Sequence, residues 1–326
     1  MSSRRRDIDD LVCHARQGQA RAVARLISLV EDGAPELREV AAALARHTGR
    51  AQVLGITGAP GVGKSSTVSA LVTALRATGK KVGVLAIDPS SPFSGGALLG
   101  DRVRMQDHAT DGGVFIRSMA TRGHLGGIAW ATPQALRVLD AAGCDVVLVE
   151  TVGVGQSEVE VVALADTTVV LLAPGMGDGV QAAKAGILEV ADVFVVNKAD
   201  REGCDQTIRD LKHMISLGRR GTAGPSWRPP IVATVATRAE GVEDLLRAIE
   251  EHRAWTVRHG ELDARRQRRA EAEVEAIALA QLRGKLGDVL RGNDTSGVLC
   301  GLAKRVVVGE LDVYRAADEL IAELGA

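Results

Sequence analysis

Gly58-Ala59-Pro60-Gly61-Val62-Gly63-Lys64-Ser65 satisfies the pattern G-x-x-x-x-G-K-[ST] at every fixed position. The run Val53–Thr57 before it reads as a short buried strand and Ser66–Arg76 after it as a helix, so the glycines fall in the turn between them. Glycines there let successive backbone N–H groups curl around a phosphate, and a helix N-terminus adds partial positive charge. Gly58 to Gly63, with Ser66, would line the phosphates. Lys64 would reach the outer phosphates, and the Ser65 hydroxyl would take one position on Mg²⁺.

Outward from that loop, short β-branched runs alternate with helical patterns. The expected strands are Val53–Thr57, Val82–Ile87, Val114–Ser118, Val146–Glu150, Thr168–Ala173, Val193–Asn197 and Ile231–Ala236. Near-continuous apolar strands separated by helices imply a mostly parallel sheet covered on both faces, a doubly wound α/β fold of the P-loop NTPase kind. Residues 1–48 read as a helical N-terminal extension: Leu11, Ala15, Val23, Leu26, Ile27 and Val30 recur at helical spacing, and Pro35 sits where a second helix could begin. Residues 49–255 form the nucleotide-binding domain. Residues 256–326 form a helical arm, with helices expected over Arg265–Leu290 and Leu311–Leu324. A narrow apolar stripe on the first (Val274, Ile277, Leu282, Leu286) fits a core contact and a self-association surface equally well.

Composition excludes several classes. A net charge of −1 over 326 residues gives no long-range pull toward nucleic acid or an anionic membrane. Aromatics at 2% are too few for a base-stacking platform. The apolar runs are of strand length, short of a membrane span, so a cytoplasmic protein is expected. Cys13, Cys144, Cys204 and Cys300 are scattered without a Cys-x-x-Cys pair, which reads as four structural thiols in a reducing compartment.

Asn197-Lys198-Ala199-Asp200 follows an apolar strand, a placement that favours GTP over ATP. A carboxylate at Asp200 can accept from both N1–H and the exocyclic amine of guanine. Adenine has no matching donors and would leave the carboxylate desolvated and unpaired. Asn197 would pin the loop, and the Lys198 stem would pack over the ring. Val235-Ala236 sits where GTPases often have a Ser-Ala pair supporting guanine, with Val in place of Ser. Glu150, at the end of an apolar strand, can hold Mg²⁺ through water, and the Gly153 N–H can contact the γ-phosphate. Asp88 and Asp101 are further candidates for the metal or the water, Asp88 because strand C-termini face the ligand in doubly wound sheets. Val154 stands where many GTPases place the glutamine that orients the attacking water; Gln156, two residues later, is the substitute on offer. Slow hydrolysis by the protein alone, faster with a partner, is therefore expected.

These motifs, with Asp88-Pro89-Ser90-Ser91-Pro92, Gly95 to Arg102, Arg122 to Gly127 and Glu150 to Glu158, together resemble the MeaB/ArgK family of GTPases. That family comprises the G-protein chaperones of methylmalonyl-CoA mutase and related adenosylcobalamin-dependent acyl-CoA mutases. The resemblance implies a homodimer joined through the C-terminal arm, with GTP binding and hydrolysis gating delivery of intact cofactor and removal of damaged cofactor. It also implies that Ser65, Asp88, Asp101 and Glu150 fall at the Mg²⁺ site, and that Gly175–Lys184 is an extra switch whose Lys184 approaches the nucleotide. The rival classes are a metallochaperone, disfavoured by the absence of Cys/His clusters, a degenerate binding module, and an ATP-dependent kinase accessory to basic amino-acid transport, disfavoured by Asp200.

Overall fold

The computed structural model describes residues 2–89, 105–108, 110–121, 131–151, 163–175, 190–217, 226–291 and 295–324. Two compact units divide the chain, residues 1–262 and 263–326.

In the first unit, seven strands form one sheet: β1 Gln52–Gly58, β2 Val82–Pro89, β3 Val114–Thr121, β4 Val146–Thr151, β5 Thr167–Leu172, β6 Val193–Asn197 and β7 Ile231–Thr234. Their order is β3-β2-β4-β1-β5-β6-β7. Every pairing is parallel, so among the described residues the sheet is wholly parallel, where the sequence suggested mostly so. The helices are α1 Ser2–Arg16, α2 Ala20–Glu31, α3 Leu37–Leu44, α4 Lys64–Ala77, α5 Ala131–Ala141, α6 Cys204–Leu217 and α7 Val242–Arg258.

Strand side chains alternate between two cores, as the pleat requires. Val53, Leu85, Ile87, Val147 and Val149 face a layer containing Leu26 and Ile27 of α2, Leu44 of α3 and Leu139 of α5. Leu54, Ile56, Val84, Leu148, Val169 and Val195 face α4 and α7 through Val68, Leu71, Leu245 and Ile249. A third cluster seats α6 on Val170, Phe194 and Val196. The N-terminal helices thus cover part of one sheet face. Arg117 of β3 also pairs with Glu31 of α2 and donates to Ser28 Oγ at 3.2 Å.

Element boundaries differ from the sequence reading in explicable ways. The N-terminal stretch holds three helices: Gly18, at φ 80°, breaks the periodic run, and Pro35 precedes the third helix instead of the second. β7 stops at Thr234 because Val235 bridges antiparallel to Glu240 and Ala236–Arg238 turn into a 3₁₀ helix. α7 buries Ala248, Ile249, His252 and Thr256.

The second unit consists of most of α8 (Glu261–Arg291), α9 (Thr295–Val307) and α10 (Val313–Leu324). The sequence suggested one helix after α8; among the described residues there are two. Gly297 and Gly301 lower the helical signal of α9, while the true break carries Gly309 at φ 76°. Arg305 of α9 pairs with Glu319 of α10 at 2.7 Å. Val274 and Leu282 on α8, Val307 on α9 and Tyr314 and Ile321 on α10 are exposed.

Candidate functional site

The site forms at the C-terminal ends of β1, β4 and β6, where a doubly wound sheet leaves its ligand crevice. Gly58 ends β1 at φ 144°, so close to β5 that a side chain would collide with the Leu171 carbonyl. Gly63 caps α4 in the left-handed region at φ 99°, and a Cβ there would strike Nδ2 of Asn197. The two glycines answer two separate close approaches, one to a strand and one to a side chain from β6.

α4 begins at Lys64, so the N–H groups of its first turn face out of the helix N-terminus, the end that favours an anion. The buried Lys64 ammonium donates to the carbonyls of Gly58 at 2.7 Å and Ala59 at 3.1 Å. Those loop oxygens offset its desolvation, and a phosphate entering the cradle would compete for the same ammonium. Ser65 Oγ donates to Glu150 Oε1 at 2.7 Å, both groups being buried. A hydroxyl and a carboxylate sharing one hydrogen bond form an all-oxygen pair, the donor chemistry Mg²⁺ prefers. These two groups would therefore suit a phosphate-bound Mg²⁺. Beside them, Thr151 Oγ1 donates to Thr57 Oγ1 at 3.1 Å, tying the ends of β4 and β1.

Asn197 joins three loops. Its Nδ2 donates to Val62 O at 2.8 Å, and its Oδ1 accepts from Thr234 Oγ1 and Ala236 N, each at 3.1 Å. Lys198, at φ 59°, donates to Gly61 O at 2.6 Å. The Ala199 N–H donates to Thr234 O at 3.0 Å. Asp200 is half-exposed at the tip of this loop, and its Oδ2 is 3.2 Å from an Arg238 nitrogen. Val235 and Ala236 are buried, the Val235 N–H donating to Glu240 O at 3.0 Å.

The fold thus brings together Gly58–Ser65, Glu150, Asn197, Lys198, Asp200, Val235 and Ala236. Ser66, expected among the phosphate contacts, stands in the first turn of α4. Asp88 lies near the end of β2, in register with Ala120 of β3. Asp101, Gly153, Gln156, Lys184, the Arg122–Gly127 segment and all of Gly175–Lys184 except Gly175 lie outside the described residues.

Sequence reasoning missed Arg238, the ion-pair partner of Asp200, since no motif points to it. It also missed the pins that hold His108 and Asp111 to α4. His108 Nε2 lies 3.1 Å from Ser69 Oγ, and Asp111 takes Arg76 Nε at 2.8 Å and a second guanidinium nitrogen at 2.9 Å. The Arg76 hydrogen bond, joined by the Gly113 N–H, holds the Asp111 carboxyl below the usual carboxylate range. Paired charges so far apart in the chain carry no local pattern.

Comparison with known proteins agrees with this geometry. The family model for the methylmalonyl Co-A mutase-associated GTPase MeaB matches residues 23–303. A Pyrococcus abyssi protein named as a GTPase is 48% identical over 317 residues, 97% of each chain. The mitochondrial methylmalonic aciduria type A homolog of Mus musculus is 35% identical over 280 residues, 80% of this chain and 67% of that one. The crystal structure of a LAO/AO transport system kinase superposes with a TM-score of 0.71 at 26% identity, covering 98% of both chains. The chain belongs to the MeaB family of GTPases.

Proposed function

We propose that this GTPase is a chaperone of an adenosylcobalamin-dependent acyl-CoA mutase, methylmalonyl-CoA mutase above all, and that its nucleotide state gates cofactor loading, protection and reactivation. The observation that carries the nucleotide half is Asn197, which bonds the phosphate loop to the Ala236 turn while Asp200 stands at the tip of its own loop. Phosphate grip and base readout are mechanically one unit. The mutase half is supported by the family description and by the likeness to the methylmalonic aciduria type A homolog.

Within the site, Lys64 and the loop amides neutralise the phosphates, and Asp200 reads guanine by accepting from its two donors. Ser65 would hold Mg²⁺, with Glu150, Asp88 and Asp101 as its remaining protein partners. The ion would draw charge off the β- and γ-phosphate oxygens. Gly153, Gln156 and Lys184 are assigned to the γ-phosphate, the water and the switch. Val154 stands where a water-orienting glutamine is common, so hydrolysis by the protein alone is slow and speeds up when a partner rearranges the loops. The protein works in the cytoplasm as a homodimer joined through the C-terminal arm, whose helices expose Val274, Leu282, Tyr314 and Ile321.

A second reading, an ATP-dependent kinase serving basic amino-acid transport, is raised by the likeness to the LAO/AO transport system kinase. Asp200 opposes it. Calorimetry decides between them: GTP should bind far more tightly than ATP, and Asp200→Asn should shift preference to xanthosine triphosphate. Equal affinity for GTP and ATP would sink the GTPase reading. Failure to co-purify with an acyl-CoA mutase in any nucleotide state would sink the chaperone role alone.

A further inference from the structure

At the opposite ends of the strands from the nucleotide loops, where β1 starts at Gln52 and β4 at Val146, there is a second cavity of about 560 Å³. That volume lies within the range of small-molecule sites. Five segments distant in sequence build its wall, and they bring groups that are or can become cations: Arg16 at the end of α1, His47, Arg50, Lys80 after α4, and Arg253 of α7.

Two acids also line it, and the backbone has already claimed both. The Asp140 carboxylate accepts N–H groups from Gly49, from Arg50 at 3.2 Å and from Ala51 at 2.9 Å. Asp145 Oδ2 accepts from the Lys81 N–H at 2.7 Å. The helix C-termini that reach this wall carry partial negative charge. Several of their last carbonyls are covered, Leu75 and Arg76 by the N–H groups of Thr78, Gly79 and Lys80, and Leu139 and Asp140 by those of Cys144 and Gly143.

The cations are less well matched. Lys80 reaches Glu250 only at 3.4 Å and at the solvent edge, and Arg253 gives an N–H to the neutral Gln52 Oε1 at 3.1 Å. Arg16, His47 and Arg50 make no ion pair among the described residues. Burial, and then the charges of Arg16, Arg50 and Arg46, hold the His47 imidazole below its ordinary value, so the gathered cations repel further charge. Like charges collected in a concave wall cost folding energy that a bound anion would return. Cys144, also in the wall, is pushed up to about 12 by its burial and is no nucleophile, so the cavity is suited to binding and not to covalent chemistry.

We propose that this cavity is a binding site for a small polyanion, a metabolite bearing clustered phosphate or carboxylate groups, separate from the nucleotide site. The test follows the His47 imidazole by NMR in the full-length protein, with its signal assigned through His47→Gln. The protein is titrated with inorganic pyrophosphate and, in a second arm, citrate, each against sodium chloride at equal ionic strength. Pyrophosphate will also enter the phosphate loop, but His47 lies at the far end of the sheet and reports only the cavity. The His47 pKa should rise saturably with added anion. In Arg16→Gln/Arg50→Gln the affinity should fall about a hundredfold, roughly tenfold for each lost charge, from its Coulomb attraction to a divalent anion about 5 Å away in water. Both arginines are exposed, so the variant should fold, with a thermal midpoint no lower than the parent's. A response to pyrophosphate alone makes the ligand a phosphate compound, and a response to citrate alone a polycarboxylate. A His47 signal that moves with neither anion, or equally in the double variant, overturns the proposal.

Discussion

Replacing Asn197 by alanine is the sharpest test of the claim that one side chain holds the phosphate loop and the guanine-reading loop together. Asn197 is buried, and its amide makes three hydrogen bonds, to Val62 O at 2.8 Å and from Thr234 Oγ1 and Ala236 N at 3.1 Å. Alanine orphans one backbone carbonyl and one backbone N–H, while the Thr234 hydroxyl can turn to another acceptor. At about 1–1.5 kcal/mol for each orphaned group, the loss of stability should be about 2–3 kcal/mol. If half of it falls on the loop arrangement that binds nucleotide, GDP affinity drops about tenfold; if all of it does, about a hundredfold. Urea denaturation of the nucleotide-free protein measures the first quantity and calorimetry with GDP the second. Asn197→Asp keeps the two accepting contacts but sets a carboxylate against the Val62 carbonyl, so it should bind GDP at least as poorly. Unchanged affinity in both variants, with stability within about 0.5 kcal/mol of the parent, would refute the coupling.

Three further outcomes are expected. Arg238→Ala frees Asp200 from a half-exposed ion pair, so GDP affinity should rise by no more than about fivefold at low salt, the gain fading as salt is added; a loss of affinity would mean that Arg238 contacts the nucleotide instead. Asp111 has its folded-state pKa lowered, so its pairing with Arg76 contributes stability above the ordinary carboxylate range, and that contribution disappears as pH falls through the folded value. Asp111→Asn should accordingly be less stable than the parent at neutral pH and indistinguishable from it in strong acid, measured by urea midpoints across pH. Iodoacetamide at pH 8 should label the exposed Cys13 and Cys300 and spare Cys144, whose thiol sits at about 12, until the protein is unfolded. Early labelling at Cys144, read by peptide mass, would contradict its burial.

Only part of this could be read from the chain. Local chemistry was enough for the strand–loop–helix around Gly58–Ser65, because each glycine and the Lys-Ser pair serve a phosphate whatever surrounds them. It was also enough for the seven strands, whose β-branched runs are continuous because both sheet faces are covered. The same locality explains why α9 was missed: two glycines diluted its pattern, and nothing nearby restored it. Three-dimensional packing alone decided that Asn197 would touch Val62, that Ser65 would meet Glu150 across 85 positions, and that Arg238 would answer Asp200. It also decided that Asp140 would spend its carboxylate on the Gly49–Ala51 amides and leave Arg16, His47 and Arg50 without an ion pair among the described residues. Such contacts depend on where parallel strands end and which helices cover them. A backbone hydrogen-bond or side-chain period is repeated along the sequence and can be seen there, whereas a pairing across the sheet is made once and leaves no period to find.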